Sequence, residues 1–293
     1  MAVEELKKTL VLGHRNPDTD SICSAICYAG FKHQLTGENY EPCRAGNVNP
    51  ETQYVLDYFK LKAPRLVENV KTQVKDIEIR KTKGVSRGIS LKNAWGLMQE
   101  NNVVTLPCVT EEGLLEGVIT IGDITKSYMN LYDSSIISKA CTKYANILDT
   151  LEGSMVVGDS EAYFDRGKVL IAAANPDLME NYIEKHDLVI LGNRYESQLC
   201  AIEMEAGCII VCEGAGVSLT IRKLAQERGC AVITTPYDTY TTARLINQSM
   251  PISYFMTKEN IIEFSEEDYL DDIREIMASK RHRDFPILDS DGK

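Results

Sequence analysis

The sequence predicts an α/β protein, and three observations lead there. Short apolar runs alternate with helix-like stretches over residues 9–68, and again over residues 139–249. Residues on either side of the second block recur at a fixed offset, so the chain also holds an internal repeat. With 293 residues, 44% hydrophobic and 26% charged, it is long enough for two or more domains with cores of their own.

In the first block, "TLVLG" reads as a buried strand. Ser21 to Leu35 carries Ile22, Ala25, Ile26 and Ala29 at helical spacing and stops at Gly37. "YEPCRAG" reads as a second strand. "NPETQYVLDYF" reads as a helix opened by Asn49 with Pro50 at its first position, and "PRLVENV" starts a third strand. In the second block, "KVLIAAA", "DLVILG", "GCIIVC" and "GCAVITT" are continuous apolar runs of the kind that buried parallel strands require. The stretches "PDLMENYIEKH", "YESQLCAIEMEAG" and "SLTIRKLAQERG" between them read as helices, which makes this block a complete small α/β domain.

The repeat has an offset of 179 (286 minus 107), which places Met98, Pro107 and Gly113 on Met277, Pro286 and Gly292. Ala94, Leu97, Leu106 and Val109 fall on Ile273, Ile276, Phe285 and Leu288. Each copy reads as a helix, a strand containing proline, and a turn at "TEEG" or "DSDG"; the first continues through "LLEGVITIGDITKSYM". The second stops one residue after its turn glycine. A stop in mid-hairpin leaves an unpaired edge, so the chain is expected to be a fragment.

A formal net charge of -11 and a pI near 5.0 argue against a nucleic-acid partner. No apolar run reaches a membrane-spanning length and "MAVEELKK" has no signal-peptide core, so no membrane partner is expected. Nine cysteines with no C-x-x-C pair point to reduced thiols and a cytoplasmic location rather than a zinc ribbon or disulfides.

"GHRNPDTDSICSA" (Gly13 to Ala25) sets His14, Asp18 and Asp20 within seven positions at the end of the first strand. Asp20 or Ser21 could cap the following helix, which explains one aspartate but not two and a histidine. Open α/β sheets bind ligands at the C-terminal ends of their strands. Two carboxylates about 4 Å apart repel by roughly 4 kcal/mol at an effective dielectric of 20, and a divalent cation turns that cost into a gain. Imidazole with carboxylates suits Mn²⁺, Co²⁺ or Mg²⁺, so His14, Asp18 and Asp20 are the expected metal ligands. His33 lies mid-helix, His186 precedes a strand, and His282 in "RHRDFPI" has no neighbouring Asp-His pair. "CEGAGVS" lacks the Lys-Ser/Thr ending of a phosphate loop and is expected to be a structural turn.

The Gly13–Ala25 stretch resembles the first motif of family II inorganic pyrophosphatases, within the DHH phosphoesterase superfamily, and "AGNVNPETQYVLDYFKLKAPRL" resembles that family's next segment. The resemblance implies that His14, Asp18 and Asp20 ligate a two-metal cluster, of Mn²⁺ or Co²⁺ by preference, that orients pyrophosphate and generates a hydroxide nucleophile. The family's later ligands, including the histidine of its D-H-H or D-H-N motif, have no match here and are expected beyond Lys293. No catalytic residue beyond the metal ligands is therefore assigned, and the fragment by itself is expected to be inactive.

The repeat resembles a pair of CBS domains with a DRTGG-type domain between them. "LGNRYESQLCAIEMEAGCIIVCEGAG" is like the centre of that domain, with "EGAG" for the usual T-G-G ending. The implied fold is a partial DHH parallel-sheet domain (1–69) followed by a CBS–DRTGG–CBS regulatory insert. Its parts are CBS domain 1 (70–130), DRTGG (131–249) and an incomplete CBS domain 2 (250–293). "GVITIGD" matches the G-x-x-T-x-x-D ribose-phosphate pattern and implicates Thr120 and Asp123; a strand threonine followed by a helix cap is the alternative. Arg281 and Arg283 are expected to meet phosphates, with solvated surface charge as the alternative. The implied function is a manganese-dependent inorganic diphosphatase, a homodimer joined through CBS domains and regulated by AMP, ADP or a diadenosine polyphosphate. The rival readings are a nucleotide sensor without catalysis and another DHH phosphoesterase acting on nucleotides or oligonucleotides.

Overall fold

The computed structural model describes residues 8–129, 133–280 and 284–293, in two units. The first runs to Gln73 and includes Tyr269–Asp271; the second holds Val74–Asp268 and Asp272–Lys293.

The first unit is a β/α alternation: β1 (Thr9–Val11), α1 (Thr19–Thr36), β2 (Tyr40–Arg44), α2 (Pro50–Tyr58) and β3 (Arg65–Leu66). The strands form a parallel sheet in the order β1-β2-β3, with Thr9 opposite Tyr40 and Cys43 opposite Arg65. α1 buries Ser21, Ile22, Ala25 and Ala29, one stripe at helical spacing, and ends on Gly37, whose φ of 74° suits the αL stop. Its cap is Asp18, not Asp20 or Ser21. Asp18 has the extended backbone of an N-cap (φ -94°, ψ -177°) and its side chain accepts from the Ser21 amide at 2.9 Å. Asn49 caps α2 through the Thr52 amide at 2.7 Å, with Pro50 at the first position as expected. A hydroxyl–hydroxyl bond of 3.0 Å between Thr19 and Thr52 ties the two helices. β1 is not the buried strand its apolar run suggests. It sits at the edge of this sheet, which leaves Thr9 and Leu10 exposed.

The second unit begins with the first repeat copy: α3 (Leu91–Glu100), β4 (Thr105–Val109), β5 (Leu115–Thr120) and α4 (Ile121–Met129). β4 and β5 form an antiparallel hairpin across a turn at Gly113. Next come α5 (Ile136–Lys139), β6 (Thr142–Lys143), α6 (Tyr144–Thr150), β7 (Ser154–Val157), β8 (Tyr163–Phe164), β9 (Val169–Ile171), α7 (Pro176–Met179), β10 (Leu188–Leu191) and α8 (Tyr195–Glu203). The block closes with β11 (Cys208–Val211), α9 (Leu219–Arg228), β12 (Ala231–Thr234) and α10 (Thr239–Leu245). β9, β10, β11 and β12 lie side by side and parallel, and β7 completes the five-stranded sheet antiparallel to β12. Alternate residues serve opposite faces. Leu188, Ile190, Cys208, Ile210 and Ile233 join the core that holds Ile147, Leu151, Ile246 and the α3–β4–β5 residues Leu91, Met98, Leu106 and Ile119. Val189, Leu191, Ile209, Val211 and Val232 join a second core with Ala201, Ile221 and Ala225 of α8 and α9. Burial on both faces explains the unbroken apolar runs. The helix expected over "PDLMENYIEKH" is one turn only, Pro176–Met179, because the chain leaves it to bury Ile183 and to anchor on Asp187.

The second copy supplies β13 (Phe264–Ser265), α11 (Leu270–Lys280, most of it in this unit) and β14 (Ile287–Leu288). The 179-residue offset survives in three dimensions. Val85 N donates to Pro107 O at 2.9 Å and Phe264 N to Pro286 O at 3.0 Å. The Val85↔Cys108 and Phe264↔Ile287 pairings are both parallel. Gly113 and Gly292 take φ of 90° and 78° in matching turns closed on Thr110 O and Asp289 O, a conformation that favours glycine.

Candidate functional site

The first candidate site sits on the loop between β1 and α1, at the C-terminal end of β1. Two glycines decide how this loop lies. A Cβ on Gly13 would overlap the Ser21 hydroxyl, and one on Gly46 would stand 2.5 Å from Arg15 O and 2.7 Å from Pro17 Cδ. The loop is therefore pressed onto the first turn of α1 at one end and onto the segment after β2 at the other. Gly46 is itself held by Arg44, which donates to its carbonyl at 2.5 Å and to Pro64 O at 3.0 Å.

On this loop His14 Nε2 lies 3.4 Å from Asp18 Oδ1, with both side chains more than half exposed. The Ser21 amide, then the adjoining His14, hold the Asp18 carboxyl below its usual range. Asp20 does not join them. It accepts a 3.3 Å bond from Ser24 Oγ one turn along α1, which holds its carboxylate in a different rotamer. The expected convergence of three ligands is thus reduced to a pair, and among the described residues no group of three His, Cys, Asp or Glu side chains comes together to hold a metal. The His14–Asp18 pair still has donors that suit a hard divalent cation. Asp20 is exposed and among the described residues is tied by that weak bond alone, so its reorientation costs little. The site's residues fit the cation on this basis.

The second candidate site is the junction of β5 and α4 in the second unit. Thr120 and Asp123 cap each other there. Asp123 Oδ2 accepts from Thr120 N at 3.0 Å and from Thr120 Oγ1 at 2.7 Å, while the Asp123 amide donates to Thr120 Oγ1 at 3.2 Å. This is a capping box with Asp in place of Glu, and it fixes the first turn of α4. Arg281 and Arg283, expected to meet phosphates, lie outside the described residues.

Ser21, a candidate cap in the sequence, instead donates its amide to Asp18 and buries its hydroxyl, which the sequence does not signal. "CEGAGVS" is a turn in which Glu213 N donates to Tyr237 O and Gly214 N to Thr235 O, each at 2.8 Å, which leaves neither of these two amides for a phosphate. Of nine cysteines, six are buried, and burial pushes the Cys108 and Cys230 thiols up to about 12. Among the described residues no helix is long and apolar enough to cross a membrane.

Comparison with known proteins agrees with this architecture. Residues 74–130 match the model of the CBS domain and 146–249 that of the DRTGG domain. The fold defines a protein with CBS and DRTGG domains. One solved structure is the CBS and DRTGG domains of the regulatory region of Clostridium perfringens pyrophosphatase, complexed with the activator diadenosine tetraphosphate. It superposes with a TM-score of 0.72 at 35% identity, over 76% of this chain and 97% of that one. Like that regulatory region, this chain carries CBS and DRTGG domains. The cobalt-dependent inorganic pyrophosphatase of Clostridium perfringens is 38% identical over 283 residues, 97% of this chain and 52% of that protein. The manganese-dependent inorganic pyrophosphatase of Bacillus subtilis is 57% identical over 72 residues, 25% of this chain and 23% of the relative. This chain spans about half the length of the Clostridium relative.

Proposed function

We propose that this chain contributes one side of the active site of a manganese- or cobalt-dependent inorganic diphosphatase and carries its adenine-nucleotide control. The observation that supports it is the His14–Asp18 pair at the C-terminal end of β1, in a chain similar to cobalt-dependent and manganese-dependent pyrophosphatases. His14 and Asp18, joined by Asp20, would hold the cation. Bound there, the metal supplies a Lewis acid and a water that ionises near neutral pH. The Ser21 amide keeps Asp18 ionised and oriented, and the Gly13 and Gly46 contacts hold the loop in place. The acidic charge and the absence of a basic tract favour pyrophosphate over oligonucleotides as substrate.

In the second unit, Thr120 and Asp123 would face the ribose of AMP, ADP or a diadenosine polyphosphate, with Arg281 and Arg283 meeting phosphates. The diadenosine tetraphosphate bound by the Clostridium regulatory region supports this choice of class. We place the protein in the cytoplasm as a homodimer joined through its CBS domains. Mn²⁺ titration of the 293-residue chain, with calorimetry against diadenosine tetraphosphate and AMP, tests both halves. Loss of Mn²⁺ binding in His14→Ala and Asp18→Ala, with nucleotide binding retained, supports the assignment. Nucleotide binding without any Mn²⁺ binding would make the chain a sensor instead. Pyrophosphate hydrolysis by the 293 residues alone at the rate of the longer relatives would refute the division of the site.

A further inference from the structure

Ser21 is the third residue of α1 and is 9% exposed. Its amide is spent on Asp18. Its hydroxyl is buried and has no hydrogen-bond partner among the described residues. A buried hydroxyl left unpaired is destabilising, and folded proteins keep such groups chiefly where a water, an ion or a ligand completes them. Ser21 Oγ lies directly under Gly13, so close that any larger residue there would overlap it. The unpaired hydroxyl therefore sits beneath the backbone that carries His14, on the residue whose amide holds Asp18. The apolar stripe of α1 gives no reason for a hydroxyl here, since Ile22, Ala25 and Ala29 make the remaining buried contacts. Alanine would fill the same space without the desolvation cost.

We propose that Ser21 is a positioning residue of the metal site. Its hydroxyl gains its missing hydrogen bond when a hydrated divalent cation is held by His14 and Asp18, and it sets the spacing between the His14 loop and α1. This rests on the metal reading above, but the two fail differently. If Ser21 merely filled space, Ser21→Ala would raise the stability of the metal-free chain and leave cation affinity alone. As a positioning residue it trades that stability for affinity.

The experiment is a Mn²⁺ titration of the 293-residue chain followed by the electron paramagnetic resonance signal of free Mn²⁺, with thermal denaturation of the metal-free protein beside it. The expected result is a 10- to 100-fold weaker Mn²⁺ affinity in Ser21→Ala, the usual size of an outer-shell loss, with a melting temperature at or above that of the parent chain. Ser21→Cys keeps a weak donor in a somewhat larger side chain, and its affinity should fall between the two. It also serves if the alanine variant folds poorly. Unchanged Mn²⁺ affinity in either folded variant overturns the proposal while leaving the metal site intact. Absence of Mn²⁺ binding in the parent chain overturns the metal reading and this proposal with it.

Discussion

Asp123→Ala probes the capping box at the start of α4. The substitution removes the acceptor of two hydrogen bonds, from Thr120 N at 3.0 Å and Thr120 Oγ1 at 2.7 Å. The 3.2 Å bond from residue 123's amide back to Thr120 Oγ1 can persist, because it uses only main chain on that side. A lost cap costs about 0.5–2 kcal/mol. With two bonds broken and Thr120 only half-buried, a loss of about 1–2 kcal/mol is expected. For a unit of this size that lowers the melting temperature by roughly 3–6 °C. Thr120→Ala should cost a similar amount, and the double variant less than the sum, because each member of the box loses its value when the other is gone. Asp123→Asn separates fold from ligand: its carboxamide oxygen can still accept from Thr120, so stability should stay within about 0.5 kcal/mol, while the carboxylate charge proposed to face a ribose is lost. The assay is differential scanning calorimetry of the three variants beside isothermal titration with diadenosine tetraphosphate. Additive losses in the double variant would refute the reciprocal box. Unchanged nucleotide affinity in Asp123→Asn and Asp123→Ala alike would refute the ribose assignment.

Three further outcomes follow from the same geometry. Gly46→Ala places a methyl 2.5 Å from Arg15 O and 2.7 Å from Pro17 Cδ, so the His14 loop must shift; stability should fall by about 1–3 kcal/mol in urea titration and Mn²⁺ affinity with it. Ile210→Ala opens a cavity at a fully buried position of the central strand β11 and should cost about 2–5 kcal/mol, read as a lower urea midpoint without a change in the α/β circular dichroism signature. The Cys108 and Cys230 thiols, pushed from 9.0 to about 12 by burial, bind their protons more tightly folded than unfolded. Stability is then undiminished below pH 9 and declines as pH rises from about 9 toward 12, and both thiols should resist an aromatic disulfide reagent at pH 8 until the chain is unfolded. Rapid labelling of either in the native state would contradict their burial.

The sequence by itself determined the elements whose cause is local or periodic. Strands β10, β11 and β12 are buried on both faces, so each must be an unbroken apolar run, and such runs are visible without a structure. Asn49 before Pro50 marks a helix start because the cap and the fixed proline φ act within four residues. The repeat was legible because two copies that make the same turn need the same glycine, and Gly113 and Gly292 both hold positive φ. The proximity of His14 to Asp18 was legible from their i,i+4 spacing, and the two side chains lie 3.4 Å apart. Only the tertiary structure decided the rest. Whether Asp18, Asp20 or Ser21 caps α1 depends on the backbone angle imposed where the loop is clamped by Gly46, a residue 28 positions beyond Asp18 (46 minus 18). The direction of Asp20 is a rotamer choice of an exposed side chain, settled by Ser24 rather than by spacing. The exposure of β1 follows from its place at a sheet edge, and strand order is a long-range property. The Thr120–Asp123 box and the unpaired Ser21 hydroxyl belong to the same class, because hydrogen bonds made or left unmade depend on atoms brought together only when the chain has folded.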